Sequence, residues 1–507
     1  MKSSKECINP KASRLNSKST NIILLVLSQA INLILLFLFT PYLVRALPQE
    51  EYGTYSQVLL IADFIGILVS IAVVQIAMMA FTKPNYPFED SLKTLLIFSG
   101  VSALAGMLLM LLSSLFAGHL FNNPAITPLL ILFAPFLLGL KLNNVLNQAL
   151  IRLNQSKFIL FLSVGTNLTK LLLAFIAVHY YHSLVGMMVV YSLEPLLSSL
   201  IQLWKLFKMG HLNGKFNRQI FREMAVLAFP LYIVELLGAS YTYMSGFVIS
   251  INLNEEAYAV YKNGSFEIPV IGTLYGTIST VFMGDMSMLI HDGNHLTLAN
   301  IKRKIMTTTA VILFPVAIYF IFFSEEFILF YYSSKYAESI PVFMIFTAAL
   351  LIRVQNYTDV LILLRKSKFV LISFIIFVLA NLVLNLLLSK WYGVMGCALG
   401  TIVSVYLLAF IQVYFTVRQL GVRLSDYVDW KKLILIVFIS SVFIAAVKII
   451  FGFFNAPLWI ILSSSISLTV PVLIILFIKL RFMDIEPMRV IFEKIPFFGK
   501  RFYQLLK

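Results

Sequence analysis

LIRLNQSKFIL (Leu150–Leu160) recurs 211 residues later as LILLRKSKFVL (Leu361–Leu371), and this repetition decides how the chain is organised. A second match has nearly the same offset. VG…IQLW (Val185–Trp204) aligns with MG…IQVY (Met395–Tyr414) at 210 residues. Matches in the same order at nearly one period indicate that the chain contains two copies of one structural unit.

A third match begins at LPQEEYGTYSQ (Leu47–Gln57), because LNEEAYAVYKNG (Leu253–Gly264) follows it at an offset of 206 residues. The first copy has two adjacent carboxylates, a proline and a glycine between two apolar runs. We interpret it as a short turn outside the membrane, with Pro48 and Gly53 marking the turn. Its two tyrosines are expected at the membrane interface.

The composition is that of an integral membrane protein. Of the 507 residues, 60% are hydrophobic and 12% are charged, whereas about a quarter of the residues in soluble domains are charged. Apolar runs of about 20 residues, the length that crosses a bilayer, recur along the chain. The two cysteines, Cys7 and Cys397, cannot form a disulfide framework.

The apolar runs predict an all-α polytopic membrane protein with about fourteen transmembrane helices. The predicted limits are 21–44, 54–81, 94–117, 124–147, 158–179, 183–204, 223–249, 257–288, 305–323, 341–364, 369–389, 393–416, 433–452 and 456–479. The first run follows a basic tail and is too long for a signal peptide, so we interpret it as an uncleaved span.

The distribution of Lys and Arg orients these helices. With the N-terminus inside and the spans alternating, 31 of the 39 basic residues fall in inside segments and 4 fall outside. This asymmetry is the one that the positive-inside rule predicts, and it puts both termini in the cytoplasm. The net charge of +16 then faces the cytoplasmic membrane surface rather than a nucleic acid.

Each copy has an even number of spans, so the two copies are parallel repeats, which we expect to form two six-helix lobes around a central cavity. Two further helices follow the repeats. The predicted organisation is a cytoplasmic tail (1–20), an N-lobe (21–206), a cytoplasmic linker (207–222), a C-lobe (223–417), the two extra C-terminal helices (418–480) and a basic amphipathic tail (481–507).

Ionisable side chains within the predicted spans are the candidate functional residues. Each costs about 2.5–3.5 kcal/mol at the centre of a membrane, so such residues face a cavity or a partner. The candidate cations are Lys141, Lys170, Lys262 and Arg353, and the candidate acids are Asp63, Glu194, Glu235, Glu267 and Asp359. Lys170 and Arg353 are the strongest candidates for an anionic ligand. The alternative is that these groups pair with one another and hold the bundle together.

Neighbouring polar residues extend these candidates. Lys141, Asn144 and Gln148 share one face of the fourth predicted helix, and Lys141 and Asp359 are expected to reach water at the cytoplasmic side. Tyr232 and Asn356 provide further sugar-contacting groups. Among the acids, burial favours proton binding and so a role in ion coupling.

Sequence motifs give no indication of an enzyme. The chain contains no phosphate-binding G-x-x-x-x-G-K-[ST] motif, no H-E-x-x-H and no G-x-S-x-G. We therefore expect no catalytic residue, no metal site and no cofactor. A membrane glycan polymerase or glycosyltransferase remains an alternative of another class, although the predicted outside loops are short for one.

The end of the first helix, FTPYLVRALPQEEYGTYSQ (Phe39–Gln57), resembles the polysaccharide-transporter branch of the multidrug/oligosaccharidyl-lipid/polysaccharide exporter superfamily. That branch has P-x-L-x-R-x-L-x-x-x-x-[YF]-G-x-[YL] at this place. Within the branch, the chain looks most like the Wzx-type O-antigen flippases. In the matching stretch, Arg45 is the residue whose function is most worth testing.

The resemblance implies a transport function. Such proteins carry an undecaprenyl-diphosphate-linked oligosaccharide from the inner to the outer leaflet of the bacterial inner membrane, through a cationic cavity and with H+ or Na+ as the coupling ion. The implied partners are this lipid-linked oligosaccharide, membrane lipid and the polysaccharide polymerase and chain-length machinery. A multidrug-type antiporter of the same superfamily is the alternative transport function.

Overall fold

The computed structural model describes residues 10–70, 73–83, 85–266, 282–453 and 456–483, and all regular structure in these ranges is helical. The chain divides into two compact units, one ending at Ala259 and the other beginning at Val260. The predicted lobe boundary at 207–222 remains a prediction.

The first unit contains nine helices. They are α1 (Pro10–Ala46), α2 (Gln49–Leu68), α3 (Val73–Thr82), α4 (Phe88–Leu120), α5 (Ile126–Phe133), α6 (Pro135–Arg152), α7 (Ser156–His179), α8 (Leu184–Lys208) and α9 (Arg218–Asn252). Helix α6 packs against α4 and α8, and α7 packs against α1 and α8.

The second unit follows from α10, which crosses the boundary between the units. The helices are α10 (Glu255–Gly264), α11 (282–291), α12 (His295–Phe322), α13 (Ser324–Tyr331), α14 (Ser339–Ala348), α15 (Asp359–Leu363), α16 (Ser367–Leu420), α17 (Leu424–Tyr427), α18 (Trp430–Gly452) and α19 (Leu458–Lys479). Short 3₁₀ turns lie at Ser334–Tyr336 and Ala349–Leu351.

Nine helical segments of the described ranges are long and apolar enough to cross a membrane, which makes this a multi-pass membrane protein. The predicted number of fourteen spans remains a prediction. The middle of the predicted span 257–288 and most of the predicted C-terminal tail lie outside the described residues.

Helix α16 contains two predicted spans, which fold back on each other at Gly393. Gly393 has φ 55° and ψ −130°, a backbone conformation that only glycine adopts at low cost. Beyond it, a Cβ on Gly396 would lie 2.0 Å from the carbonyl oxygen of Leu388. The Gln412 side chain donates to the Ser373 hydroxyl at 3.2 Å. The two halves therefore form a close antiparallel hairpin.

The stretch after α1 corrects one expectation from the sequence. The turn is confined to the residues around Pro48, because Gly53 lies inside α2. A Cβ on Gly53 would lie 2.2 Å from the carbonyl oxygen of Glu255, so glycine is needed for close packing rather than for a turn. Tyr52 and Tyr55 are buried and are not anchors at the membrane interface.

Two predicted spans are interrupted. The predicted helix 54–81 consists of α2 and α3, with the break after Leu68, and the predicted helix 341–364 ends in a 3₁₀ turn at Leu351. The following segment, 352–358, is not helical. Irregular backbone at membrane depth is tolerated only where protein or a cavity surrounds it, and both breaks lie beside candidate site residues.

The two C-terminal helices pack on the second unit. Helix α12 contacts both α18 and α19, and the three helices share a core of aliphatic and aromatic side chains. Within this core, the Tyr319 hydroxyl donates to the Leu462 carbonyl at 3.0 Å. The helices that follow the sequence repeat therefore form part of the second unit's core.

Candidate functional site

The candidate site in the first unit is centred on Lys170. Its ammonium lies 3.7 Å from a carboxylate oxygen of Glu194, and each side chain is about one-fifth exposed. The same ammonium lies 5.3 Å from the ring centre of Tyr191, within the range of a cation–π contact. The Tyr191 ring meets Tyr55 of α2 edge-on at 6.1 Å. The sequence indicated both ions, and their pairing is the alternative that it left open.

Helix α8 holds Glu194 in place through its contact with α6. Glycine at position 139 allows the approach, because a Cβ there would lie 2.4 Å from the carbonyl carbon of Pro195. The Asn143 side chain donates to the Pro195 carbonyl oxygen at 2.9 Å and accepts from Gln202 at 2.8 Å. The Pro195 carbonyl directly follows Glu194 in α8, so the bond from Asn143 fixes α8 beside the acid.

The acceptor groups at the end of α2 are satisfied by side chains from three other helices. Because α2 stops after Leu68, its last carbonyls have no helical donor. The donors are Lys141 of α6 to Gly66, Ser102 of α4 to Val69, and Tyr232 of α9 to Leu68 at 2.7 Å. We call the place where α2 stops, together with these three bonds, the first break. The bonds join α2 to the rest of its unit.

Lys141 therefore differs from the expectation drawn from the sequence, whereas Tyr232 as a sugar contact stays a prediction. Lys141 is buried and donates to a backbone carbonyl, so it does not extend to cytoplasmic water. The Tyr232 hydroxyl is engaged by a carbonyl in the same way. Asp63, also on α2, has an exposed side chain, which keeps it a candidate for a cavity acid.

In the second unit, the predicted helix 341–364 is interrupted in the same way, and we call residues 349–358 with the bonds around them the second break. The carbonyls that accept these bonds lie four residues apart. Tyr406 donates to Ala348 at 3.0 Å, Tyr357 donates to Ile352, and Lys302 donates to Asn356 at 2.9 Å. The Asn356 side chain also accepts from the Thr358 backbone N–H at 3.2 Å, a local bond that competes with the helix.

Lys302 also forms a buried ion pair, which the sequence did not indicate. Its ammonium lies 3.5 Å from a carboxylate oxygen of Asp359, and the two side chains are 0% and 2% exposed. We counted Lys302 among the basic residues of an inside segment, because the predicted span began at 305. In the structure α12 begins at His295, which puts Lys302 within the helix. Asp359 is therefore paired inside the protein and does not reach water as expected.

Two further buried polar side chains, Tyr427 and Gln355, lie next to this ion pair. The hydroxyl of Tyr427 is buried and experiences the charge of Asp359, and burial raises the pKa of Tyr427 well above its usual range. Among the described side chains, neither this hydroxyl nor the amide of the neighbouring Gln355 has a hydrogen bond of normal geometry. The second break is thus a buried, polar and charged region within a membrane unit.

An apolar groove of about 830 Å³ runs along the second break. Its walls come from α12, the segment 351–357, the second half of α16 and the start of α18. Representative lining residues are Phe314, Val354, Tyr406, Phe410, Leu433 and Val437. A groove with this lining suits an aliphatic chain, since it offers apolar surface over nearly its whole length.

The remaining predicted residues occupy varied places. Arg45 ends α1 with an exposed side chain that donates to the Pro41 carbonyl at 3.1 Å, and Lys262 is exposed near the end of α10. Asn144 and Gln148 are half-buried on α6, and the half-buried Arg353 lies in the segment 352–358 rather than in a helix. Glu267 and the side chain of Glu235 lie outside the described part of the chain.

One protein-family model and several solved structures are similar to this chain. The family model described as "Polysaccharide biosynthesis protein" matches residues 42–341. A search of curated protein sequences gives no significant match. Several solved structures match in fold.

The structure titled "Lipid II flippase MurJ, inward closed conformation" is 16% identical, with a TM-score of 0.69, over 91% of this chain and 99% of that one. An inward-facing multidrug resistance MATE family transporter of the MOP superfamily is 14% identical, with a TM-score of 0.63 over 78% and 94%. A MOP superfamily transporter from Pyrococcus furiosus is 14% identical, with a TM-score of 0.53 over 80% and 95%. At these identities the likeness shows a shared fold.

Proposed function

Because the chain belongs to the Polysaccharide biosynthesis protein family, we propose that it is a flippase for a lipid-diphosphate-linked oligosaccharide. It moves this substrate, a repeat unit of O-antigen or a similar surface polysaccharide, from the inner to the outer leaflet of the bacterial inner membrane. The proposal is supported by a fold shared with a lipid II flippase and with MATE transporters.

The observation that carries the proposal is the environment of Lys170. A cation at membrane depth is costly unless it has an anionic partner. Here the partner Glu194 is 3.7 Å away and each side chain is about one-fifth exposed, so an incoming diphosphate can reach the ammonium and compete for it. The Tyr191 and Tyr55 rings beside it offer the flat faces and hydroxyls that suit a sugar.

The apolar groove of the second unit supports a lipid-linked substrate. A long prenyl chain has no polar atom to satisfy, and the groove provides about 830 Å³ lined by aliphatic and aromatic groups. The groove of the second unit thus offers a surface whose chemistry suits a prenyl chain.

Ion coupling follows from the same pair in the first unit. A proton or Na+ bound at Glu194 neutralises its carboxylate and weakens its attraction for Lys170. Lys170 is then available to the diphosphate, so ion binding and substrate binding favour the same state. Alternating access between the two repeats would complete the transport cycle.

The test of the proposal is export of surface glycan in cells that carry variants. Lys170→Ala and Arg353→Ala should each abolish export while the protein remains in the membrane at its normal level. Lys83→Ala is the matched control, because this lysine forms its ion pair with Glu223 at a membrane edge. Normal surface glycan in both the Lys170 and the Arg353 variants would contradict the site assignment.

A multidrug-type antiporter is the second candidate function, and one observation favours it. Glu194 neutralises Lys170, and the exposed acid Asp63 lies on α2, where its charge reaches the buried Tyr55. An acid and an aromatic ring also suit an organic cation. Efflux of ethidium from cells that express the chain would support this function. Export of lipid-linked glycan without ethidium efflux would support the flippase.

A further inference from the structure

Three cations lie at the open end of the α7–α8 hairpin, where α7 begins and α8 ends. Lys157 begins α7, and Lys205 and Lys208 lie in the last turns of α8. Within the described ranges, none of the three forms an ion pair with a carboxylate. We call these three residues the α7–α8 basic cluster. By the predicted orientation, the cluster faces the cytoplasmic membrane surface.

Aromatic side chains surround this cluster. The Lys205 ammonium lies 5.4 Å from the ring centre of Phe158, and the Lys208 ammonium lies 5.4 Å from that of Trp204. Trp204 and Phe207 are 60% and 69% exposed. Exposed aromatic rings with adjacent cations are typical of the depth at which lipid headgroups lie, so the cluster presents its charge to headgroups rather than to protein.

The second unit repeats this arrangement at matching sequence positions. Lys368 and Phe369 follow Lys157 and Phe158 by 211 residues, and Tyr414 and Arg418 follow Trp204 and Lys208 by 210. The Lys368 ammonium lies 5.2 Å from the ring centre of Phe369, and an Arg418 nitrogen donates to the Tyr414 hydroxyl at 3.2 Å. Neither cation has an ion pair in the described part of its unit.

Two further basic residues near helix ends, Lys83 and Arg303, have protein partners. Lys83 lies 3.1 Å from Glu223, and Arg303 lies 2.8 Å from Asp429. The hydrogen bond to Glu223 raises the pKa of Lys83. These cations have their counter-charge within the protein, whereas the cations at the ends of α7–α8 and in α16 do not. The duplicated positions thus leave their positive charge available to an anion from outside the chain.

We propose that each of these two basic–aromatic clusters binds the phosphate of an anionic phospholipid of the cytoplasmic leaflet. The lysines and the arginine supply the positive charge, and Trp204 and Tyr414 settle among the headgroups. The lipid is a structural ligand and not the transported substrate. In the first unit it would hold together the ends of the two helices that carry Lys170 and Glu194.

The test is lipid binding by the purified full chain, measured by native mass spectrometry with phosphatidylglycerol and phosphatidylcholine as probes. Lys205→Gln/Lys208→Gln should weaken the binding of one phosphatidylglycerol molecule, the one at the α7–α8 basic cluster, about 25-fold at low salt, since each lysine near an anionic surface contributes about fivefold. The phosphatidylglycerol molecule at the cluster of the second unit should stay bound. The matched control Lys83→Gln/Arg303→Gln removes two cations that have protein partners and should change binding less than about twofold.

Three results would overturn the proposal. The first is equal loss in the cluster variant and its control, and the second is binding of phosphatidylcholine as tight as that of phosphatidylglycerol. The third is loss of binding for a lipid-linked oligosaccharide but not for phosphatidylglycerol, which would assign the cluster to the substrate. Because Lys170→Ala tests the proposed transport function separately, failure of either proposal is recognisable.

Discussion

The first and second breaks are two solutions to one problem, a membrane helix that stops before it has crossed. In both, a lysine and a tyrosine from other segments donate to the carbonyls that the break sets free. In the first break, Lys141 donates to Gly66 and Tyr232 to Leu68. In the second, Lys302 donates to Asn356 and also pairs with Asp359.

The difference between the breaks lies in the buried ion pair. Burying two charges costs several kcal/mol per ion, and their attraction compensates only with good geometry. The second break, beside the apolar groove, buries two charges, those of Lys302 and Asp359. The first break buries one charge, that of Lys141, which donates to a carbonyl. Groups that are costly to bury yet retained point to function, so we expect the second break to be the more sensitive to substitution.

The largest effect is expected for Lys302→Met, which keeps side-chain volume but leaves Asp359 charged and buried. The free energy of unfolding should fall by about 3–5 kcal/mol, measured by denaturant titration in mixed micelles. The double variant Lys302→Met/Asp359→Leu removes both charges and should recover most of this loss. A single variant as stable as the unmodified protein would show that the pair contributes nothing.

A smaller effect is expected for Lys141→Met in the first break. This change leaves the Gly66 carbonyl without its donor, and a buried group that loses its hydrogen bond costs about 1–3 kcal/mol. The same titration would measure it. A loss larger than that of Lys302→Met would reverse the order of the two breaks and contradict the importance given to the ion pair.

The smallest effects are expected at the hairpin joints, where the two repeats also differ. His182 has φ 46°, and Gly393, 211 residues later, has φ 55°. Positive φ is favourable for glycine and costs other residues about 1–2 kcal/mol. His182→Gly should therefore raise the melting temperature slightly and Gly393→His should lower it. Identical shifts in the same direction would show that backbone strain does not distinguish the joints.

Much of the fold could be predicted from the sequence, because long apolar runs and their repeat are local patterns. The breaks could not. The second lies in a run without internal glycine or proline, and it is stabilised by Tyr406 and Lys302, which are distant in sequence. The first follows the same logic, since its donors come from three other helices.

The candidate site was predicted less well, because partners depend on packing. Lys170 and Glu194 were both indicated by their depth, but their pairing requires α7 to lie against α8. On α6 the polar contact to α8 is made by Asn143, a residue that the sequence did not single out. Lys302 was missed because its helix starts ten residues before the predicted limit.

The most direct test of the central claim is translocation by the purified full chain in proteoliposomes. An undecaprenyl-diphosphate-linked oligosaccharide with a fluorophore on its sugar is placed in both leaflets, and an impermeant quencher is added outside. The account predicts that unmodified protein makes the protected inner pool accessible and that Lys170→Ala does not. Quenching no faster than in protein-free liposomes, or equally fast with Lys170→Ala, would contradict it.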